Sequence, residues 1–522
     1  MSEPHRGRVV VMLVRGDETS VAERLARTEY AEGRVLTVAG VEAHERLRRL
    51  PRVDVVVDTR SDRPLVQWRS WRRLFFHLVH DGEWVVARRE GDEVFSDRLA
   101  HLLLREGLRR QRAELARAVG AIRATPTRVV LTKAGDHWFK LRDAEAQEVL
   151  RERAPDLAVT ELAHRPGGRL ESRSTSHGFD EEGFAAPIEY PPLLLRRYDG
   201  ALSLGEGVVP RHGRSLLPDA YRWHLQDVPV NKRLVDIDAD WARPRPEDLR
   251  EGPRLDGSFY YLDYKNPGHY GHLMTEAVSR LWGWDVAKQD DPDLRLLLRR
   301  GPKHPQAVED RPESTILAAY GVAASDVTWV EGSVSVEHLV GLTPMWHNKS
   351  PYSAHPEIRA VWERIADGLA AAEPTAVAGL PARRIFVTRH EGKRRCRNVA
   401  EVDAFFEAHG FTLVRPGTMS LAQQAATFAA AEVVAGFGGT GMFNLCYARR
   451  LQHLVVLNHT SYDARNEQLF AAVHGARSDF FWSEPDIPHP ESGWSYEAFQ
   501  SPWAFDLDRN RAALQAVLDS PA

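Results

Sequence analysis

The sequence is poor in cysteine: Cys396 and Cys446 are the only two in 522 residues. Two cysteines cannot form a disulfide framework in a chain of this length, so we expect a reducing compartment and predict a cytoplasmic location. A structural zinc site usually draws on four closely spaced ligands, and two thiolates do not predict one.

Long apolar runs are also missing. No stretch approaches the roughly 18 apolar residues of a membrane-spanning helix. The first apolar run, residues 9–14, is followed at once by Arg15 and Asp17, so no signal peptide is expected. The formal net charge of −4 gives no global basic field, and nucleic acid is not predicted as a partner. A peripheral contact with a membrane stays open.

The length predicts about three domains at roughly 150 residues each. We place them at 1–123, 124–378 and 379–522. In the first domain, β-branched runs alternate with helical stretches, which predicts an α/β domain with a small parallel sheet. The predicted strands lie at 8–14, 33–40, 53–60 and 80–89, and a single long amphipathic helix is predicted at 98–122.

The N-terminal domain resembles a degenerate class I methyltransferase-type Rossmann domain. A working version needs a glycine-rich turn after the first strand, and here that turn has a single glycine, Gly16. Asp58 at a strand end is a candidate ribose ligand, although such residues commonly cap the next helix. We therefore predict a structural or docking role for this domain in preference to an active methyltransferase.

Residues 163–192 are rich in Gly, Ser and Pro, which predicts a linker or a long loop. The domain at 379–522 then alternates strands and helices, and it ends in a helix. The predicted strands are 383–389, 411–417, 432–441 and 451–458, with helices at 398–410, 420–431 and 442–450. This order predicts a doubly wound parallel sheet whose ligands lie beyond the carboxyl ends of the strands.

A glycine cluster follows the third of these strands and precedes a helix: Gly436, Gly438, Gly439 and Gly441. Such a turn lets a phosphate approach the main chain at a helix start, or it serves tight strand–helix packing. Arg389 ends the first strand, where a guanidinium suits a diphosphate. Lys393, Arg394 and Arg395 in the loop that follows are predicted to form a solvated basic surface.

A second polar segment enters a helix at 260–284. His272 and Glu276 are spaced i, i+4, so we expect them on one helix face, where the carboxylate can orient the imidazole. A zinc site built on His269 and His272 is disfavoured, because no third ligand beyond Glu276 lies nearby. Trp282 and Trp284 are predicted in the core, with a sugar-stacking role as the alternative.

Residues 190–485 resemble glycosyltransferase family 61. The resemblance rests on "GHYGHLMTEAVSRLW" and on the long segment from "RRIFVTR" to "GFGGTGMFNLCYA", in the family's order and spacing. It implies a GT-B-like pair of Rossmann-type lobes beside the extra N-terminal domain. It further implies an inverting transfer from a nucleotide-sugar, usually a UDP-sugar, without a metal or any other cofactor. The acceptor stays open between a glycan, a lipid-linked sugar and a small molecule.

Carried over by position, the resemblance implies roles for individual residues. Donor contacts fall on Arg389, Arg397, Gly439, Thr440, Gly441 and Asn444. His272 or Glu276 would be the catalytic base, or Glu276 would orient His272, and His269 would line the acceptor side. One position departs from the family: Gly438 stands where a histidine is common, so contacts from that histidine are lost or supplied elsewhere.

Two other functions stay open. The chain could be a binding or scaffold protein built on a decayed transferase. The Gly438 departure slightly favours this alternative, whereas the retention of His272, Glu276, Arg389 and Asn444 argues against it. It could also be a nucleotide-sugar isomerase. Acidic triplets of the kind used by metal-dependent transferases occur at 236–238, 291–293 and 506–508, but at this aspartate content we expect them by chance. The oligomeric state is not predicted.

Overall fold

The computed structural model describes residues 7–14, 29–30, 33–60, 63–89, 91–104, 110–179, 183–264, 266–301, 307–377 and 382–520. The chain divides into two compact units. The first comprises 1–160, 197–256 and 332–339, and the second comprises 161–196, 257–331 and 340–522. Two compact units do not by themselves define domains, so the boundaries at 1–123, 124–378 and 379–522 stay a prediction.

A six-stranded sheet forms the core of the first unit. Its strands, in spatial order, are Arg34–Ala39, Val9–Val14, Val55–Asp58, Glu83–Ala87, Arg128–Lys133 and Val119–Thr125. The first four are parallel and the last two antiparallel. The predicted strands at 8–14, 33–40, 53–60 and 80–89 are therefore confirmed, as is the α/β class. The α-helices among the described residues of this unit are Ala43–Arg48, Pro64–Leu74, Val94–Leu104, Arg110–Ala118 and Ala146–Arg153.

The prediction of one helix over 98–122 is wrong at its C-terminal end. Helix Arg110–Ala118 ends where strand Val119–Thr125 begins. That strand pairs with Arg128–Lys133 as a hairpin, so cross-strand hydrogen bonds replace the helical pattern that the arginines and alanines favour. Shorter strands of the first unit are Trp138–Lys140, Val209–His212, Ser215–Leu216, Val235–Asp236 and Trp241–Arg243. Three strands have residues in both units: Ala158–Arg165, Leu193–Gly205 and Val334–Leu342.

The C-terminal sheet of the second unit has six parallel strands. Their spatial order is Arg173–His177, Arg477–Ser483, His453–His459, Val433–Phe437, Arg384–Val387 and Thr412–Val414. The helices between and after them are Val399–Ala408, Leu421–Ala430, Asn466–His474, the short Tyr496–Phe499 and Leu507–Asp519. The predicted doubly wound order of 379–522 is confirmed, although the predicted helix at 442–450 is a 3₁₀-helix at Thr440–Tyr447.

The prediction of a linker over 163–192 is wrong. Strand Arg173–His177 lies within it and pairs in parallel with Arg477–Ser483, as the edge of the C-terminal sheet. Ser174 and Ser478 share a buried hydrogen bond of 2.7 Å across this pair. Gly, Ser and Pro suggested a loop, but the pairing satisfies the backbone of this stretch.

A second, smaller set of parallel strands lies in the same unit: Ser258–Tyr261, Arg295–Arg299 and Val327–Val330. Helices Trp284–Asp290, Pro312–Tyr320 and Ile358–Ala372 belong to this part. Ile358–Ala372 contacts both Pro312–Tyr320 and Leu421–Ala430. Its Trp362 lies in an aromatic cluster with Trp346 and Phe470, with ring centroids 4.8–5.8 Å apart. The buried apolar side chains of helix Ile358–Ala372 thus belong to one hydrophobic core that includes residues of both parallel strand sets. No described helix is long and apolar enough to span a membrane.

Candidate active site

A cavity of about 730 Å³ opens at the carboxyl edge of the C-terminal sheet. Three strands lead into it: Arg384–Val387, Thr412–Val414 and Val433–Phe437. The lining residues follow these strands or lie on the segments beside them: Tyr270, Val387, Thr388, Arg389, His390, Glu391, Arg415, Pro416, Gly417, Thr418, Gln424, Phe437, Thr440, Gly441 and Asn444. This is the edge at which open parallel sheets bind ligands, as the sequence predicted.

Arg389 enters the cavity from the end of its strand. Its Nη2 donates to the carbonyl oxygen of Arg394 at 2.9 Å. Burial, together with the like charge of Arg394, lowers the pKa of Arg389 to about 10. A Cβ added to Gly439 would lie 2.6 Å from Arg394 Nη2 and 3.2 Å from Arg389 Nη1. Two guanidinium groups therefore converge on the glycine turn, and an anion placed between them would relieve their repulsion.

The N–H group of Gly439 is already engaged. It donates to Glu467 Oε1 at 2.7 Å, and Glu467 is fully buried, on the helix that follows the next strand. Burial raises the pKa of this carboxyl group to about 7, against the opposing effect of backbone hydrogen bonds and the two arginines. Gly439 itself has φ of +130°, which disfavours any other residue there. Thr440 and Gly441 line the cavity, so the rest of the predicted turn does face the open space.

Asn444 is buried at the cavity wall. Its side-chain oxygen accepts from the hydroxyl of Tyr270 at 2.7 Å, and its Nδ2 donates to the carbonyl of Gly441 at 3.1 Å. The Tyr270 hydroxyl lies 3.2 Å from that of Tyr447. Tyr270 is a lining residue that the sequence did not single out, although it stands between the two histidines of the motif. Asn444 thereby links Tyr270, on the segment that carries the two histidines, to Gly441 in the glycine turn.

The predicted His272–Glu276 contact is present. His272 Nδ1 lies 2.6 Å from Glu276 Oε1, across a π-helical turn at Leu273–Ala277. The ring of His269 packs against that of His272 at 4.6 Å. Desolvation lowers the pKa of His269, and His272 lowers it further. None of the three lines the cavity itself, but Tyr270, directly beside them in sequence, does. Among the described residues, no group of three His, Cys, Asp or Glu side chains could hold a metal ion.

The basic loop after Arg389 is less solvated than predicted. Arg394 is half-buried, with its Cζ 4.5 Å from the Tyr462 ring, so the prediction of a solvated side chain is wrong for it. Lys393 is exposed and donates to the hydroxyl of Tyr496 at 2.8 Å. Arg397 forms an ion pair with Asp486 on the surface and does not line the cavity. The structure thus separates Arg397 from the other predicted donor residues.

Gly438 occupies a crowded position. A Cβ there would lie 2.2 Å from Asn458 Oδ1, so the side chain of Asn458 fills the space that the family's histidine would need. The next residue, His459, is 1% exposed, and neither ring nitrogen has a hydrogen-bond partner among the described residues. Burial and the charges of Arg394 and Arg389 lower its pKa to about 4. A neutral imidazole therefore lies beside the guanidinium pair, at a strand end that no sequence motif indicated.

Gly438→Ala is expected to destabilise the protein by about 1–3 kcal/mol, because its methyl group overlaps the Asn458 side chain. The double variant Gly438→Ala/Asn458→Ala should recover part of that loss, since the obstructing amide is gone. Urea unfolding of the four proteins of this double-mutant cycle measures the coupling. Additive effects would show that Asn458 does not exclude a side chain at 438.

Other predicted residues have structural roles. The carboxylate of Asp58, the candidate ribose ligand, is buried and accepts from Arg60 Nε at 2.7 Å and Nη2 at 2.5 Å. It is therefore already engaged in an ion pair. In the acidic triplets, Asp236 pairs with Lys140 at 2.8 Å and Asp506 caps the last helix. Trp284 is 3% exposed, in the core as expected. Cys396 and Cys446 are free and buried.

Residues 270–455 match the family model of Glycosyltransferase 61. This segment is similar to glycosyltransferase family 61, and the match supports a glycosyltransferase. Every residue that lines the cavity lies within the matched segment, as do His272 and Glu276. His269 and Trp494 lie outside it.

Comparison with solved structures gives only distant likenesses. The MycE methyltransferase from the mycinamycin biosynthetic pathway, in complex with Mg, SAH and mycinamycin VI, is 15% identical with a TM-score of 0.20. The match covers 25% of this chain and 45% of that one. A second MycE structure, with Mg and SAH, is 17% identical with a TM-score of 0.19 and is covered over 42% of its length. The chain spans less than half of either structure. No curated protein matches it. The methyltransferase-like interpretation of the N-terminal domain stays a prediction.

Proposed function

We propose that this protein transfers a sugar from a nucleotide-sugar to a hydroxyl group of an acceptor, and that the donor is a UDP-sugar. The transfer would invert the anomeric carbon and would need no metal. The observation that carries the proposal is the convergence of Arg389 and Arg394 on the Gly439 turn, beside a cavity inside the family 61 segment. Paired guanidinium groups at a strand end suit a diphosphate. The two parallel strand sets of the second unit would be the two GT-B-like lobes.

The arginines would act on the leaving group. In a single in-line displacement, the bond between the anomeric carbon and the diphosphate oxygen breaks while the acceptor oxygen forms the new bond. Negative charge then grows on the diphosphate, and Arg389 and Arg394 stabilise it more in the transition state than in the ground state. Asn444 and the Thr440–Gly441 main chain line the same space and would position the donor sugar.

His272 would take the proton of the acceptor hydroxyl. With Nδ1–H donated to Glu276 at 2.6 Å, the lone pair that accepts the proton would be that of Nε2, and the carboxylate would stabilise the imidazolium that results. Glu276 would thus orient the His272 ring and balance the positive charge that the ring gains. His269 would line the acceptor side. The acceptor would be a glycan, a lipid-linked sugar or a small molecule, and the proposed location is the cytoplasm.

The donor site can be tested without knowing the acceptor. A ligand that binds only the native state raises the melting temperature, so UDP, GDP, CDP, dTDP and their sugars are screened by thermal shift and calorimetry, with and without Mg²⁺. We expect one nucleotide to stabilise the protein without metal. Arg389→Ala should lose about 2–4 kcal/mol of diphosphate stabilisation in the transition state and most of the thermal shift.

Arg395→Ala is the matched control, because it removes the same charge from the exposed part of the same loop. It should keep the nucleotide shift. An equal loss in both variants would mean that general charge, and not a diphosphate contact, attracts the nucleotide. A folded wild-type protein that responds to no nucleotide would support the scaffold alternative. Donor consumption without any acceptor would support the isomerase.

A further inference from the structure

A long surface loop at residues 485–503 carries two exposed aromatic side chains. Pro485 and Trp503 pair at its base, and the N–H group of Asp486 donates to the carbonyl of Pro502 at 3.0 Å, so its two ends are held together. Trp494 and Tyr496 near its tip are each 56% exposed. Compact loops with closed ends frequently carry function, and water-exposed aromatic pairs commonly mark a binding surface.

The tip of the 485–503 loop is held by hydrogen bonds of His489. His489 Nε2 lies 3.1 Å from the carbonyl of Ser461, and its Nδ1 accepts from the N–H group of Ser495 at 3.1 Å. The ring of Trp494 lies 6.2 Å from that of His489 and 5.7 Å from that of Phe499. The indole is therefore supported on two sides while its outer surface faces water. A pre-positioned aromatic ring loses little entropy when a ligand binds.

The loop also contacts the basic loop beside the cavity. Lys393 Nζ donates to the Tyr496 hydroxyl at 2.8 Å. The Cζ atom of Arg394 lies 5.4 Å from the ring of Phe499, and the same guanidinium meets the Gly439 turn. Lys393 also lies close enough to His269 to lower its pKa, after desolvation and His272. Contacts through Phe499 and Arg394 thus connect Trp494 to the proposed diphosphate site.

We propose that Trp494 and Tyr496 form a binding subsite for a carbohydrate acceptor. Sugar rings present flat C–H faces that pack on aromatic rings, while their hydroxyl groups hydrogen-bond at the rim. The Tyr496 hydroxyl accepts from Lys393, so its own proton is available to a sugar oxygen. The inference rests on the proposed function, because the choice of a sugar over another apolar ligand follows from the transferase site next to the loop.

The test uses the full chain and an array of printed mono- to hexasaccharides, read for binding with and without the nucleotide found by thermal shift. Glycans that bind are confirmed by saturation-transfer NMR. Trp494→Ala is expected to weaken glycan binding about tenfold or more, since an aromatic anchor dominates such a site. Trp494→Tyr should keep most of it. Phe179→Ala, which removes another exposed aromatic ring that packs on Trp482, is the matched control and should bind as the wild type does.

Each outcome decides the proposal. Glycan binding that is lost in Trp494→Ala, while the nucleotide shift persists, supports it. If the wild type and Trp494→Ala bind glycans equally well, the subsite does not lie at Trp494 and the proposal is overturned. A nucleotide shift without glycan binding overturns the subsite and leaves the transferase proposal standing, whereas failure of both readouts overturns both. A dimer that Trp494→Ala converts to a monomer, by light scattering, would assign the ring pair to self-association instead.

Discussion

Replacing His272 with alanine is expected to lower kcat by about 10²–10⁴-fold, the usual contribution of a positioned general base. The imidazole is the proposed acceptor of the hydroxyl proton, and Glu276 holds its Nδ1 at 2.6 Å. Glu276→Gln keeps a hydrogen-bonding oxygen but removes the charge that stabilises the imidazolium, so a smaller loss is expected. Initial rates of nucleotide release give both values, once the thermal-shift screen and the glycan array have supplied a donor and an acceptor.

The nucleotide affinity separates a base from a structural residue. Both variants should bind the donor nucleotide as the wild type does, because neither side chain lines the donor cavity. His338→Ala is the matched control, since it breaks a histidine–aspartate contact of 2.8 Å with Asp199 on the surface of the first unit. Its kcat should be unchanged. Equal losses of turnover and nucleotide affinity in His272→Ala would contradict the base role.

Asp479→Ala is expected to destabilise the protein by about 3–5 kcal/mol, the range for breaking a buried ion pair. Its carboxylate is fully buried in strand Arg477–Ser483 and accepts from His177 at 2.7 Å, His453 at 2.8 Å and Arg477 at 2.9 Å. Removing it leaves three inward-facing donors without their acceptor. Urea unfolding measures the loss.

Asp367→Ala provides the comparison, because Asp367 pairs with Arg449 at the surface and is 67% exposed. An exposed pair of this kind contributes about 0–1 kcal/mol, so little change is expected. If Asp479→Ala were as mild as Asp367→Ala, the network would not stabilise the sheet.

Acid is expected to destabilise the protein by protonating the carboxylate of Asp479. Hydrogen bonds from His177, His453 and Arg477 hold the pKa of Asp479 well below its usual range, in spite of burial. A lowered folded-state pKa gives stability that is fully present above the unfolded value of about 3.9 and is lost as the pH falls below it. The free energy of unfolding should therefore fall between about pH 5 and pH 2, and Asp479→Asn should flatten that dependence. If the free energy of unfolding fell equally with pH in the wild type and in Asp479→Asn, other groups would be responsible for the loss of stability in acid.

The Asp479 network also shows why the linker prediction failed. His177 belongs to strand Arg173–His177, which lies some 300 residues before its partner strand in sequence. Short strands rich in Ser and Thr carry no strong apolar pattern, so their existence depends on the partner that pairs with them. By contrast, strand Val433–Phe437 is fixed by its own apolar run and by the glycines that follow.

The sequence alone determined the alternating α/β order of the C-terminal sheet, the position of Arg389 at its carboxyl edge and the His272–Glu276 contact. Each depends on neighbours along the chain: apolar periodicity, a strand end, or an i, i+4 spacing. Only the tertiary structure decided that Glu467 accepts the hydrogen bond of the Gly439 N–H group, that Arg394 packs on Tyr462 and that Trp494 packs beside Phe499. These depend on side chains that approach from distant segments, and no local pattern encodes which segments meet.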